Sequence, residues 1–264
     1  ALPVLGTRDK RWFTYIHVMD VHDCMIPTRL GNMVSRARTI YRLLSDGGAK
    51  ITPRNVWYDS ALQKVDQQIG RLISEMETEG VLDNTLILIT GDHGYIWNQA
   101  RDSRYQREFG LRTHRELIDV PLLLVGLDEE PKATGLLDSM SVSATLLDAL
   151  GLSGHGSFKG QSAYNSSKEF VVNENAGRGR ADIDNGTLYF TVATKTRKLM
   201  VCLDGEELFP KRFYDCERDP DELTNLVDDP LRASEIAELI DHLAAERPEI
   251  LKRRGVQQRA LAVK

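Results

Sequence analysis

Residues 86–94 read Leu86-Ile87-Leu88-Ile89-Thr90-Gly91-Asp92-His93-Gly94. The apolar run without polar alternation predicts a short strand that is buried on both faces. Asp92 and His93 follow at its carboxyl end, where open α/β sheets bind their ligands. A carboxylate supplies a hard oxygen and a neutral imidazole supplies a nitrogen, and flanking glycines let the backbone approach a metal or a phosphoryl-like group closely. An ordinary polar turn with an incidental histidine is the alternative, so the rest of the chain has to decide.

The composition is typical of a soluble globular protein. The 264 residues are 41% hydrophobic and 28% charged, and the formal net charge is -5. Because Lys and Arg are mostly scattered, neither nucleic acid nor an anionic membrane is an expected partner, and no apolar run approaches the ~18 residues that span a bilayer. Cys24, Cys202 and Cys216 are too few and too widely spaced for a disulfide scaffold, and at most Cys202 and Cys216 would pair. The compartment stays open between the cytoplasm and a periplasmic or secreted location.

A predicted core strand comes almost at the start of the chain. Residues 12–19 are apolar and aromatic, with His17 as a core histidine, and Asp20 and His22 follow at the end of the strand. Asp20 is better placed to orient His22 than to contact a substrate. Since a domain rarely opens on a central strand, we expect the chain to be the later part of a larger α/β domain.

Helices and strands alternate in the middle of the chain. After Pro53, apolar residues recur at three- and four-residue steps and predict a helix that ends at Gly80. The later elements are a strand over 120–126 and a helix from Ser139 or Ser141 to Gly151. This order predicts an α/β layer structure. A long polar insert over 95–115 follows a strand end, where loops often carry function.

The pattern changes after the Gly- and Ser-rich stretch 151–168. Short segments that carry Val, Tyr and Phe, separated by turn residues such as Asp184-Asn185-Gly186 and Asp204-Gly205, predict a small antiparallel sheet. These segments are 170–173, 187–194, 198–203 and 212–215. A final helix over 231–247 has one apolar face and should pack on that sheet. We therefore divide the chain into an α/β part, 1–160, and a small antiparallel β subdomain with a C-terminal helix, 161–264.

Carboxylate, imidazole and guanidinium groups recur near three of the predicted strand ends. They are Asp20 and His22, Asp92 and His93, and, beyond the insert, Arg112, His114 and Arg115. A carboxylate holds a hard cation, while a neutral imidazole or a guanidinium contacts the oxygens of a substrate. Such a set predicts a site for an anion and a metal ion.

Four segments of the chain, taken in order, match four segments of one known protein family. The family segment that ends Met-Asp-Pro-His is similar to Phe13-Thr14-Tyr15-Ile16-His17-Val18-Met19-Asp20-Val21-His22, and the family strand that ends Asp-(His/Asn)-Gly is similar to Leu88-Ile89-Thr90-Gly91-Asp92-His93-Gly94. The strand entry that follows resembles Glu116-Leu117-Ile118-Asp119-Val120-Pro121-Leu122. The C-terminal signature Leu-Tyr-Asp, Asp-Pro, Glu, Asn-Leu resembles Phe213-Tyr214-Asp215-Cys216-Glu217-Arg218-Asp219-Pro220-Asp221-Glu222-Leu223-Thr224-Asn225-Leu226. The four segments extend over the whole chain and together are far more specific than any one of them. The chain therefore resembles the sulfatase family.

The resemblance implies the fold and the site of the alkaline-phosphatase-like superfamily. We expect an α/β fold with a mixed sheet between helices, incomplete in this chain, and a small C-terminal antiparallel sheet plus helix. The resemblance also implies that Asp92 and His93 bind a divalent metal, most often Ca²⁺ with Mn²⁺ or Mg²⁺ as alternatives, and that His22 is a catalytic residue in contact with the sulfate ester. The family usually has a Lys before the Val-Pro strand. Here His114 takes that substrate-binding and catalytic role, with Arg112 as its substitute, because either can donate to an anionic oxygen.

The sulfatase nucleophile does not occur in this sequence. The family carries it in Cys/Ser-x-Pro-x-Arg, matured to formylglycine, after an Asp-Asp metal pair at the end of its first strand. Neither the nucleophile motif nor an Asp-Asp pair at the end of an early strand is found in the 264 residues. Cys24 stands one residue too far from Pro27, and we interpret it as an ordinary loop cysteine. Ca²⁺ takes about 6 to 8 oxygen ligands, so Asp92 and His93 alone should bind it weakly. We therefore expect the formylglycine in a segment outside this chain and no activity from this chain alone.

The function implied for the parent protein is hydrolysis of sulfate esters by a metal-dependent sulfatase. The expected substrate is a small-molecule or saccharide sulfate ester, and the missing N-terminal half of the same protein is a further expected partner. Sulfate and phosphate esters are near isosteres, so a phosphonate monoester or phosphodiester hydrolase of the same superfamily is one alternative. A non-catalytic sulfatase-like module is the other.

Overall fold

A computed structural model describes residues 11–22, 53–95, 113–127, 129–152, 154, 156–175, 184, 186–253 and 255. The chain divides into two compact units, Ala1–Ile87 and Leu88–Lys264. The mixture of helices and strands confirms the predicted α/β class. The predicted domain boundary at residue 160 lies within the second unit and stays a prediction.

Helix α1, Pro53–Thr78, is the main described element of the first unit. It stops in a Schellman arrangement, in which Gly80 has φ +66° and the Val81 N–H donates to the Met76 carbonyl at 3.0 Å. Glycine suits this position because an L side chain is strained at positive φ. A 3₁₀ turn over Leu82–Asn84 then leads toward the first strand. The predicted helix and its glycine stop are confirmed.

The predicted core strand over 12–19 is wrong. These residues form no helix or strand, and Phe13 and Tyr15 are 78% and 75% exposed. A central strand needs neighbours that pair its backbone groups and cover both faces, and among the described residues no strand pairs with this segment. His17 is likewise exposed rather than part of a core, and its ring contacts the Tyr15 hydroxyl at 2.9 Å and the Met19 sulfur at 3.0 Å.

Two predicted strands form and pair with each other, but they are less buried than predicted. Strand β1 covers Ile87–Thr90 and strand β2 covers Leu122–Val125. The side chains of β1 are half-buried up to Ile89, while β2 alternates, with Leu123 and Val125 about half exposed at 54% and 49%. Burial on both faces requires layers on both sides of a sheet. Within the described ranges this sheet consists of the two strands alone.

Two helices flank strand β2 in sequence. A single helical turn, α2, covers Arg115–Ile118 and precedes it, and α3, Ser141–Ala149, follows it. The Asp138 carboxylate accepts hydrogen bonds from the Ser141 N–H at 3.0 Å and from the Ser141 hydroxyl at 3.1 Å, which caps the turn that begins α3. Gly151 has φ +64° and ends this helix, so the predicted helix and its stop are confirmed.

The C-terminal segments form the predicted antiparallel sheet. Its strands, each hydrogen-bonded to the next in sequence, are β3 (Phe170–Asn175), β4 (Leu188–Thr194), β5 (Arg197–Asp204) and β6 (Glu207–Asp215). Strands β5 and β6 are joined by a two-residue hairpin in which Asp204 pairs with Glu207 and Gly205 has φ +59°. The turn signal Asp-Gly therefore identified this hairpin correctly.

The final helix packs on that sheet, as its apolar face predicts. It is α4, Ala233–Glu246, entered through a 3₁₀ turn over Pro230–Arg232 and followed by a short helix α5, Pro248–Arg253. Four α4 side chains are almost fully buried in one cluster with the inner face of the sheet. They are Ile236, Leu239, Ile240 and Leu243. Removing this apolar surface from water is the main stabilising term of the second unit.

The two described cysteines are free thiols, so the pairing of Cys202 with Cys216 that the sequence left open does not form. Burial raises the pKa of the Cys216 thiol to about 11, although the nearby Lys198 ammonium acts in the opposite direction. In the described ranges, no helix is both long enough and apolar enough to cross a bilayer.

Candidate metal-binding turn

The turn after β1 carries the candidate metal ligands Asp92 and His93, and its backbone determines which ring nitrogen of a neutral His93 carries the proton. The His93 backbone N–H donates to a carboxylate oxygen of Asp92 at 2.8 Å. The Nδ1 atom of His93 lies 2.8 Å from the Gly94 carbonyl oxygen. Because a carbonyl only accepts, this contact assigns the proton of a neutral His93 to Nδ1 and leaves the lone pair on Nε2.

The free ends of the two side chains lie on the same side of the turn. The Nε2 atom of His93 is 3.8 Å from Oδ2 of Asp92, and the side chains are 57% and 71% exposed. Metal-to-ligand bonds of about 2.0 to 2.6 Å allow one cation to contact both atoms at this separation. The donor set therefore fits a divalent ion, with most of the coordination left to other ligands. Within the described ranges no third His, Cys, Asp or Glu joins this pair.

Gly94 ties the turn to helix α2. Its N–H donates to the Leu117 carbonyl at 2.6 Å. A Cβ at this position would lie 2.1 Å from the Glu116 carbonyl oxygen, well inside any real contact, so only glycine fits. At Gly91 the nearest atom to such a Cβ would be a Val120 methyl carbon at 3.4 Å, which is an ordinary contact. The close approach that the sequence suggested is thus required at Gly94 and not at Gly91.

His114 lies at the residue before α2, and its side chain is turned inward. It is 1% exposed, and its ring lies against Tyr214, with 5.8 Å between ring centroids and 3.4 Å from Nε2 to the tyrosine hydroxyl. Its neighbours also contact the C-terminal sheet region, because the Thr113 and Thr191 hydroxyls share a hydrogen bond and the Arg115 N–H donates to a Glu222 carboxylate oxygen at 3.2 Å. The role of His114 as a substrate contact stays a prediction.

The remaining predicted site residues lie elsewhere in the chain. His22 and Asp20 are exposed and belong to the first unit. Arg112, the predicted substitute for His114, lies outside the described residues, as does Cys24. The roles of His22 and Arg112 stay predictions. Asp215 and Asp219 of the C-terminal signature accept backbone hydrogen bonds, from the Arg218 N–H at 3.2 Å and from the Thr224 N–H at 2.7 Å, as turn residues do.

One feature was missed from the sequence: a buried ion pair beside α2. Glu222 is 1% exposed and one of its carboxylate oxygens contacts the Lys198 ammonium, while the other accepts from the Arg115 N–H. Both side chains of the ion pair are at least nine-tenths buried. The Glu of the C-terminal signature was the available signal, but its partner in α2 is 107 residues away in sequence.

Comparison with known proteins decides the family. A sequence model of the family named Sulfatase matches residues 1–152, more than half of the chain. The chain belongs to the sulfatase family. It is 24% identical to arylsulfatase K of Bos taurus over 183 residues, which cover 64% of this chain and 32% of the relative. It is 28% identical to an arylsulfatase of Clostridium perfringens over 198 residues, which cover 70% of this chain and 37% of the relative. The sulfatase chain thus spans about a third of the length of these relatives.

Solved structures confirm the predicted fold. A 2-O GAG sulfatase superposes on this sulfatase chain with a TM-score of 0.58 at 20% sequence identity, over 81% of this chain and 49% of the other. At that level of identity the likeness shows a shared fold. The sulfatase-like α/β architecture that the four sequence segments implied is therefore confirmed.

Proposed function

We propose that this chain supplies the metal-binding turn of a sulfuric ester hydrolase. The proposal is carried by one observation in a chain of the sulfatase family: the Asp92 carboxylate and the unprotonated Nε2 of His93 face each other at 3.8 Å at the carboxyl end of β1. Such strand ends are the usual ligand-binding position of α/β sheets. A carboxylate beside a neutral imidazole is a donor pair for a divalent cation such as Ca²⁺, Mn²⁺ or Mg²⁺.

A bound divalent ion would offset the negative charge that gathers on the sulfate oxygens during hydrolysis. Residues of this chain orient the donor atoms that would bind such an ion. The Gly94 carbonyl holds the His93 proton at Nδ1, which keeps the Nε2 lone pair directed outward. The Asp92 side chain caps the His93 N–H with one oxygen and leaves the other toward Nε2.

The other parts of the proposed site follow the family resemblance. His22 contacts the ester and assists departure of the leaving group, and His114 or Arg112 donates to a sulfate oxygen. The nucleophile is a formylglycine from a segment outside the 264 residues. We accordingly expect no hydrolysis of sulfate esters by this chain alone. An assay of a preparation whose intact mass shows that it contains only this chain would test that expectation. The substrate class is a small-molecule or saccharide sulfate ester, and the solved 2-O GAG sulfatase of the same fold supports a saccharide.

The test uses the whole protein that carries this chain. Asp92→Ala and His93→Ala are compared with Asp241→Ala, which removes an exposed carboxylate from α4. We expect the first two to lose bound metal and kcat on an aryl sulfate together, with the melting temperature preserved, and the control to keep both. Full metal content and normal kcat in either site variant would refute the proposed metal site.

Paired substrates separate the proposed reaction from its alternatives. The same preparations are assayed on an aryl sulfate and on the matching aryl phosphate diester and phosphonate. Faster turnover of the sulfate supports the sulfatase. Faster turnover of the phosphorus esters would move the protein to the phosphonate or phosphodiester hydrolases, and no turnover of any ester by a whole protein with its metal bound would favour a non-catalytic module.

A further inference from the structure

Glu222 is a charged group that the proposed chemistry does not use, yet it is almost completely buried. Its side chain is 1% exposed and that of Lys198 is 5% exposed. A buried carboxylate is unfavourable unless its oxygens are paired and hydrogen-bonded. Here one oxygen contacts the Lys198 ammonium and the other accepts the Arg115 N–H at 3.2 Å. Each partner thus takes one oxygen of the carboxylate.

The backbone at Glu222 is held in an uncommon conformation. Its φ is +53°, the left-handed region that residues with a side chain rarely adopt. The loop around it is fixed by two hydrogen bonds, from the Glu222 N–H to the Asp219 carbonyl at 3.0 Å and from the Thr224 N–H to the Asp219 carboxylate at 2.7 Å. This loop therefore holds the carboxylate toward the start of α2 at some cost in backbone strain.

Helix α2 connects this loop to the candidate metal-binding turn. Three successive residues at its start are bound by the C-terminal sheet region: Thr113 by Thr191, His114 by Tyr214 and Arg115 by Glu222. One turn later, the Leu117 carbonyl accepts the Gly94 N–H at 2.6 Å. Since Gly94 in turn binds the Nδ1 of His93, a short series of contacts leads from Glu222 to the imidazole.

We infer that Glu222, with Lys198 as its counter-ion, is a positioning residue that fixes the start of α2 and through it the Asp92-His93-Gly94 turn. Its effect on metal binding rests on the proposed function, whereas its effect on the turn does not. Tyr214 contacts the same helix start through the ring of His114. Tyr214 and Glu222 of the C-terminal signature thus support the candidate site through α2, and we call these two residues the brace.

Native-state amide hydrogen exchange of this chain tests the inference at the Gly94 N–H. This group is connected to Glu222 through α2 and two hydrogen bonds, Gly94 to Leu117 and Arg115 to Glu222. Glu222→Ala removes a hydrogen bond to a charged group, so we expect the Gly94 and Arg115 amides to exchange about 10- to 100-fold faster. Lys198→Met should act in the same direction, and Lys198→Arg, which keeps the cation, should restore slow exchange. The control is Leu239→Ala, a fully buried position in the cluster between α4 and the sheet.

The control separates positioning from general loss of stability. Leu239→Ala should speed exchange across the sheet and α4 without a selective effect at Gly94. If Glu222→Ala does not fold, the two Lys198 variants decide. Gly94 exchange that is unchanged, or that rises no more than in Leu239→Ala, would overturn the inference.

A Mn²⁺ titration keeps this result distinct from the proposed function. If the whole protein that carries this chain does not bind Mn²⁺ at the turn, the proposed function fails, and the selective change at Gly94 still supports Glu222 as a positioning residue. If wild type binds Mn²⁺, we expect about 10-fold or greater weakening in Glu222→Ala, the usual loss when a group that orients a metal ligand is removed. Equal Mn²⁺ affinity in both proteins, with unchanged Gly94 exchange, would refute positioning and leave the metal site intact.

Discussion

Gly94→Ala is predicted to separate the candidate metal-binding turn from helix α2. The added Cβ would stand 2.1 Å from the Glu116 carbonyl oxygen, whereas a carbon and a carbonyl oxygen in close contact lie about 3.3 Å apart or more. The turn must therefore retreat by roughly 1 Å, and that displacement breaks the 2.6 Å hydrogen bond from the Gly94 N–H to the Leu117 carbonyl. Overpacking together with a lost hydrogen bond should destabilise the second unit by about 2 to 4 kcal/mol.

Calorimetric unfolding measures this effect. For a unit of the size of Leu88–Lys264, the loss corresponds to a melting temperature lowered by roughly 5 to 15 °C. Gly154→Ala is the matched control, because a Cβ there meets nothing within 4 Å. Metal affinity should fall in Gly94→Ala and not in the control. If both variants melt within about 1 °C of wild type, the close approach at Gly94 is not a constraint and the reasoning fails.

Three further predictions follow from single residues. Gly70→Ala, in the middle of α1 with nothing within 4 Å of the new Cβ, should stabilise the helix by about 0.5 to 1 kcal/mol, seen as a higher unfolding midpoint; a lower midpoint would contradict it. Burial acts to raise the pKa of Asp138, but hydrogen bonds from Lys168 and Ser141 outweigh it and lower that pKa. Asp138→Ala should therefore cost about 1 to 3 kcal/mol at neutral pH, a difference that shrinks as the pH falls below the usual Asp pKa of about 4; a loss independent of pH would exclude the charge as its cause. His22→Ala in the whole protein should lower kcat by about 10² to 10⁴ with little change in melting temperature, and the opposite pairing of results would make His22 structural.

The C-terminal half of the fold could be predicted because its signals are local. Alternating apolar residues and an Asp-Gly turn specify the hairpin at Gly205, and the three- and four-residue spacing of Ile236 to Leu243 specifies which face of α4 is buried. Each of these patterns is completed by neighbours within the described sheet and helix. The observed strands, the final helix and the packing between them therefore agree with the prediction.

The strand predictions that failed depended on neighbours that a local pattern does not contain. Residues 12–19 have the composition of a core strand, but composition does not supply a pairing partner, and their side chains remain exposed. Strands β1 and β2 formed, yet Leu123 and Val125 face outward because burial depends on layers above and below the sheet.

The candidate site divides in the same way. Asp92 and His93 could be found because they are adjacent in sequence and follow a recognisable strand. The contacts of Glu222 and Tyr214 could not be found in this way, because their partners are distant in sequence. Glu222 binds Arg115, 107 residues away, and Tyr214 contacts His114, 100 residues away. The family signature marked Tyr214 and Glu222 without indicating what they touch. Only the folded geometry shows that both contact the start of α2.

A Mn²⁺ titration of this chain followed by NMR tests the central claim most directly. Paramagnetic broadening falls steeply with distance from the ion, so even weak binding locates the site. The account predicts that the amide signals of Asp92, His93 and Gly94 broaden first, and that Asp92→Ala abolishes this selectivity while Asp241→Ala retains it. Broadening that begins elsewhere in the chain, or that survives Asp92→Ala unchanged, would contradict the assignment of this turn as the metal site.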